Sequence, residues 1–110
     1  MQQLLTLPEP PTAVFAHNDV LALGAMHAIQ AAGLAIPGDI SVVGYDDTAG
    51  SAYLAPPLTT IRFSRREMGR QAATLLFNAI EQDESYKPST VEVPVELIVR
   101  ASTGPAPSVR

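Results

Sequence analysis

The sequence predicts an α/β fold in which a parallel-sheet βαβ unit is followed by an amphipathic helix and a C-terminal strand. Three observations predict it. Two short continuous apolar runs, TAVFA (Thr12–Ala16) and ISVVGY (Ile40–Tyr45), have the character of parallel strands covered on both faces. Between them, Asp19–Ala32 is built of good helix formers, which makes the order strand, helix, strand. Further on, Met68, Ala72, Leu75, Leu76, Ala79 and Ile80 recur at helical spacing, and Val91, Val93, Val95, Leu97 and Val99 alternate at strand spacing.

Each element has its own start and stop signals. Pro8, Pro10 and Pro11 precede the first strand as a linker, and that strand ends at His17. Asn18 or Asp19 can cap the first helix, and Gly33 can close it in a left-handed conformation. This helix is apolar or small almost all round (Val20, Leu21, Leu23, Ala25, Met26, Ala28, Ile29, Ala31), so it requires cover on more than one side. Pro37, Gly38 and Asp39 form a turn, residues 46–57 read as loop, and Leu58–Arg62 is a third β-prone segment. Ser64 and Glu67 match a capping box for a helix over Arg65–Gln82, with Arg66, Arg70, Thr74 and Asn78 on its solvated face. A polar link, Gln82–Thr90, leads to the alternating strand, in which Pro94 lacks an amide donor and so points to an edge or an irregularity. Residues 104–110, with Gly104, Pro105 and Pro107, read as a disordered tail.

Composition narrows the function classes. The chain has 110 residues, 46% of them apolar, which suits one small domain. Seven Lys and Arg against eleven Asp and Glu give a net charge of −4, opposite to the basic footprint a phosphate backbone selects. This segment is not expected to bind DNA itself. The absence of cysteine excludes a disulfide framework and a thiolate metal site. No basic n-region with an apolar run reads as a signal peptide, and no stretch approaches the roughly 18 apolar residues of a membrane span. The expectation is a cytoplasmic protein with no membrane partner.

Chemistry concentrates at two strand ends. In a right-handed βαβ unit both strands run the same way, so His17 and Asn18 after the first, and Asp46 and Asp47 after the second, emerge at one sheet edge. Ligands of open α/β sheets bind outside the carboxyl ends of the strands. A carboxylate accepts from two vicinal hydroxyls and a carboxamide both donates and accepts, a pairing suited to a sugar or polyol. From position alone a bland alternative stands beside this: Asn18 as a helix cap, and Asp46 and Asp47 as an Asx turn. Successive side chains leaving a strand point to opposite sides, so Asp46 and Asp47 do not make a catalytic carboxylate pair, and no enzyme is expected. His17 and His27 lack metal-pair spacing, and the glycines match no phosphate loop, so no metal or cofactor is expected. His27 reads as a solvated residue or a subunit contact. Tyr45 and Phe63 read as core or as flat rings covering a sugar face.

Three segments, PTAVFAHNDVLALGAMHAIQAAGLAIPGDISVVGYDD, PPLTTIRFSRREMGRQAATLL and VPVELIVRAST, together resemble the last third of the effector-sensing domains of LacI/GalR-type transcription regulators. The resemblance spans nearly the whole chain and implies that residues 1–103 are the C-terminal part of a periplasmic-binding-protein-like domain. It further implies that the helix-turn-helix and N-terminal subdomain lie outside this chain, so that DNA is contacted only by the intact protein. Carried over, it implies that Asn18 and Asp46 bind a small-molecule effector such as a sugar. Where the family often has a polar Gln, this chain has Phe63, a departure that implies a less polar effector or a stacking role there. The first helix resembles the family's dimerisation helix, which implies a homodimer through Leu23, Met26 and His27 with Leu54 nearby. The alternative is the C-terminal part of a periplasmic sugar-binding protein of an ABC transporter, favoured by NDVLALGA and disfavoured by PPLTTIR.

Overall fold

The computed structural model of the chain describes residues 1–82 and 85–107. They form two units, Met1–Arg62 with the segment from Glu96 onward, and Phe63–Val95. Along the chain run α1 (Gln2–Leu5), β1 (Ala13–Phe15), α2 (Asp19–Ala31), β2 (Ser41–Tyr45), a 3-10 turn (Ser51–Tyr53), β3 (Thr59–Phe63), α3 (Arg65–Gln82) and β4 (Val95–Ile98). The sheet has the order β1-β2-β3-β4, with β1/β2 and β2/β3 parallel; Val14 stands opposite Val42 and Gly44 opposite Thr60. The expected βαβ unit is therefore present, and its two strands are neighbours.

In the first unit the core lies between α2 and the sheet. Ala22, Met26 and Ile29 of α2 meet Val42 of β2, with Ala16, Ile40 and Leu58 completing the cluster. Ile29, Val42 and Leu58 are fully buried, each contributing about 1.5–3 kcal/mol by removal from water. Along β2, Val42 and Gly44 are the buried positions, as a two-residue period requires. Gly44 is glycine for lack of room: a Cβ there would run into the Asp19 carboxylate and stand 2.9 Å from Leu58 Cδ2.

Both ends of α2 are closed as the sequence predicts. Asn18, in extended conformation, accepts from the Leu21 amide at 2.8 Å through its side-chain oxygen. At the other end Gly33 sits at φ +76, where its amide donates to Gln30 and the Leu34 amide reaches back to Ile29, a Schellman ending.

Two expectations are revised. The alternating run from Val91 becomes strand only over Val95–Ile98, after Pro94, since a residue without an N–H cannot extend the ladder. The segment leading into the tail is also better held than its composition suggests. Ser102 is fully buried, its hydroxyl donating to the Val42 carbonyl at 2.6 Å and accepting from the Thr59 amide at 2.8 Å. Gly104, where the tail was expected to begin, donates its amide to Ser41 Oγ at 3.2 Å. Residues 108–110 of that tail, and 83 and 84 of the polar link, lie outside the described residues.

In the second unit, the Ser64 hydroxyl accepts from the Glu67 amide at 3.1 Å, one half of the expected capping box. The Glu67 carboxylate is engaged by Arg70 at 2.6 and 2.9 Å and by Gln71 at 2.8 Å, and these bonds hold it well below the usual carboxylate range. No residue of α3 is buried, and Leu76, Phe77 and Ile80 are each exposed. Among the described residues no helix is long and apolar enough to cross a membrane.

Candidate functional site

The candidate site is the carboxyl edge of the β1/β2 pair. Because Phe15 pairs in parallel with Val43, the residues that follow each strand leave the sheet on the same side. Asn18 and Asp46 are thus brought to one edge, both half-buried. Asn18 uses its side-chain oxygen on the helix cap, so its amide nitrogen is the group able to donate to a ligand. Asp46 donates its backbone N–H to the Ile61 carbonyl of β3 at 2.9 Å, which extends the β2/β3 ladder one residue past the strand.

The backbone here is unusual. Asp46 has φ +110 and Asp47 φ +46, two successive residues in a region that costs side chains other than glycine of the order of 1–3 kcal/mol each. Such conformations persist only where neighbouring contacts impose them. Two carboxylates supply those contacts.

The first is Asp19, 3% exposed at the start of α2. Its Oδ2 accepts from the Thr48 amide at 2.7 Å, from Thr48 Oγ1 at 3.1 Å and from the Ser51 hydroxyl; its Oδ1 accepts from Thr60 Oγ1 at 2.5 Å. It fastens the loop after β2 to the helix and to β3. Burial pushes this carboxyl up, but the bonds from Ser51, Thr60 and Thr48 outweigh it, so Asp19 titrates below the ordinary carboxylate value. Sequence reasoning missed this role and saw only a cap. The one available signal was the density of hydroxyl residues at Thr48, Ser51, Thr59 and Thr60.

The second is Asp47, which meets Arg62 Nε and Arg100 Nη2, each at 2.6 Å. Burial raises its pKa, while the hydrogen bonds and charges of Arg100 and Arg62 lower it by more. Arg100 also donates to the Leu58 carbonyl at 2.8 Å.

The remaining expected residues are placed as follows. Phe63 ends β3, two positions beyond Ile61, the partner of Tyr45; it is half-buried and opens the second unit. Leu23 and His27 are exposed on α2, with Val20 and Leu21 also exposed on that helix. Met26, expected at an interface, is instead 2% exposed and belongs to the chain's own core, because it lies four residues from Ala22 and three from Ile29 on the inward face. Leu54 is half-buried and packs against that core. Among the described residues no group of three His, Asp or Glu side chains could hold a metal ion.

Residues 1–103 match the family of periplasmic binding protein-like domains. The HTH-type transcriptional repressor PurR of Mannheimia succiniciproducens is 46% identical over 102 residues, covering 93% of this chain and 30% of that protein. The chain thus spans about a third of the length of the curated relatives it matches. Among solved structures, the lac repressor dimer bound to operator and the anti-inducer ONPF superposes with a TM-score of 0.78 at 42% identity, over 93% of this chain and 35% of that one. A LacI-family transcriptional regulator from Enterococcus faecium with bound ribose gives 0.73 at 38% identity, over 94% and 37% respectively.

Proposed function

This chain belongs to the periplasmic binding protein-like family, and on that premise we propose that it is the effector-sensing and dimerisation segment of a cytoplasmic LacI-type transcription regulator. The observation that carries the reading is the convergence of Asn18 and Asp46 at the carboxyl edge of two adjacent parallel strands. A carboxylate and a carboxamide at such an edge suit the hydroxyls of a sugar, and ribose is bound by one of the similar structures. In this reading residues 1–103 form the C-terminal part of a longer sensor domain, and DNA is contacted by a helix-turn-helix elsewhere in the protein. Binding of effector shifts the balance between arrangements of the sensor and so changes operator affinity, without catalytic turnover. The solute-transport alternative is not favoured, since the similar proteins named above are transcription regulators.

The exposed face of α2 supports a homodimer. Val20, Leu21 and Leu23 are 71%, 56% and 49% exposed, a contiguous apolar surface on a helix whose opposite face is already in the core. His27 lies on the same outward side as Leu23, four residues on.

The site is tested by calorimetric titration of ribose and other pentoses and hexoses into the longer protein. Asp46→Ala and Asn18→Ala are expected to weaken binding tenfold or more, about 1.4 kcal/mol each, with little change in melting temperature. Unchanged affinity in both variants rejects the site.

A further inference from the structure

We propose that Asp47 is a positioning residue that ties the ligand-binding strand end at Asp46 to both places where the chain passes between its two units. The inference rests on the reading of Asp46 as an effector contact and adds the route by which that contact is felt elsewhere.

The chain leaves the first unit after Arg62 and returns at Glu96. Arg62 stands at the outgoing connection and Arg100 shortly after the incoming one. Asp47 holds both, but not as a two-pronged pair with either. Its Oδ2 takes Arg62 Nε at 2.6 Å and its Oδ1 takes Arg100 Nη2 at 2.6 Å. One carboxylate is therefore divided between the two connections, and Arg62 reaches Glu96 across them at 3.9 Å. A shift of either connection relative to the loop breaks one bond and leaves the other.

Arg100 is itself fixed to β3. Its backbone N–H donates to Thr59 Oγ1 at 2.9 Å and its guanidinium to the Leu58 carbonyl at 2.8 Å. Asp47 and Arg100 are both well covered, with side chains 10% and 17% exposed, whereas Arg62 is 52% exposed. The Arg100 arm is thus the less screened of the two. The link to Asp46 is through the backbone. Asp46 and Asp47 share the positive-φ stretch, which neither would keep without outside contacts, so the arginines that fix Asp47 also fix the peptide that aims Asp46.

The test is residue-by-residue amide hydrogen exchange on the full 110-residue chain with no ligand added. In Asp47→Asn and in Arg100→Met, exchange at the Asp46 amide (bonded to Ile61) and the Arg100 amide (bonded to Thr59) is expected to rise tenfold or more. The Ala16 and Val42 amides, bonded to Val43 and Ser102, are expected to keep their rates. Arg62→Met should produce a smaller rise at Asp46. Equal acceleration at all four amides, or at none, overturns the proposal by reducing Asp47 to a general stabiliser or a bystander. Should Asp47→Asn not fold, Arg100→Met carries the same comparison with the carboxylate intact. No ligand enters the experiment, so a failure to bind sugars leaves its outcome standing, and a failed exchange pattern leaves the sugar reading in place.

Discussion

Helix α2 buries Ala22, Ala25, Met26 and Ile29 and turns Val20, Leu21 and Leu23 outward, whereas α3, with a cleaner amphipathic pattern, has no fully buried residue and of its apolar side chains half-buries only Leu75 and Ala79. The helix with the poorer pattern is the one with the core. What distinguishes α2 is its anchorage to the sheet. The N-terminus of α2 carries Asp19, a carboxylate bonded to β3 and to the loop after β2, so the helix is locked to the sheet by polar bonds at one end and by packing along its length. Within α3, Glu67 bonds Arg70 and Gln71, and Thr74 bonds the Arg70 carbonyl, all local to the helix. Local bonds of this kind stabilise the helix itself.

The largest effect expected from breaking this difference is at Asp19. Asp19→Ala leaves the Thr60 and Ser51 hydroxyls and the Thr48 amide without their acceptor in a covered site, at about 1–3 kcal/mol for each group that finds no other partner. Urea unfolding should show the first unit losing about 3 kcal/mol or more, and Asp46 should lose its slow amide exchange with it. Loss of less than 1 kcal/mol would show that packing alone anchors α2.

Next in size is the outer face of α2. Leu23→Glu places a charge in the apolar patch that the proposed dimer buries, and on that proposal sedimentation should show monomers for the variant and dimers for the parent chain. The monomer should keep its fold, since Leu23 lies outside the core. Dimers surviving the change would move the interface off α2.

A smaller effect separates the carboxylates from the packing. Asp19 and Asp47 both have folded-state pKa values below their ordinary ones. Each therefore contributes stability that is present above the unfolded-state pKa and is lost as pH falls through that value toward the folded one. Denaturation midpoints should decline from about pH 5 downward, and the decline should be shallower in Asp19→Asn and Asp47→Asn. An acid profile identical in parent and variants would mean that neither carboxylate changes its affinity for protons on folding.

How much of this could be read in the sequence follows from the range of the interactions. The first two strand runs, the Asn18 cap, the Gly33 ending and the Ser64 cap are local, and each lies where the residues put it. The shared edge of Asn18 and Asp46 was legible because right-handed βαβ connections leave little choice of direction once the strands are adjacent. Met26 was misplaced for a physical reason: a helix ringed with apolar residues has no phase signal to say which side faces the sheet. Asp19 was underestimated because its donors, Thr48, Ser51 and Thr60, are brought to it only by the fold. The two arginines of Asp47 lie 15 and 53 positions away, beyond the reach of any periodicity.

The smallest expected effect lies on α3, and it is the one that tests the comparison most directly. Leu76 and Phe77 are 60% and 62% exposed, so replacing either with Gln removes apolar surface that is mostly in water already. If that stripe is uncovered in solution, Leu76→Gln and Phe77→Gln should each change the stability of the chain by no more than about 0.5 kcal/mol, with solubility rising. If the stripe is covered, by a second copy or by further sequence of a longer protein, the same substitutions should cost about 1 kcal/mol or more, because a buried polar amide would replace a buried hydrocarbon. Measuring both variants in the 110-residue chain and in the proposed longer regulator places the boundary: near zero in the first and a clear loss in the second would show that α3 has its partner outside these residues. A clear loss in both would make the contrast between the helices false, since α3 would then be packed in this chain as well.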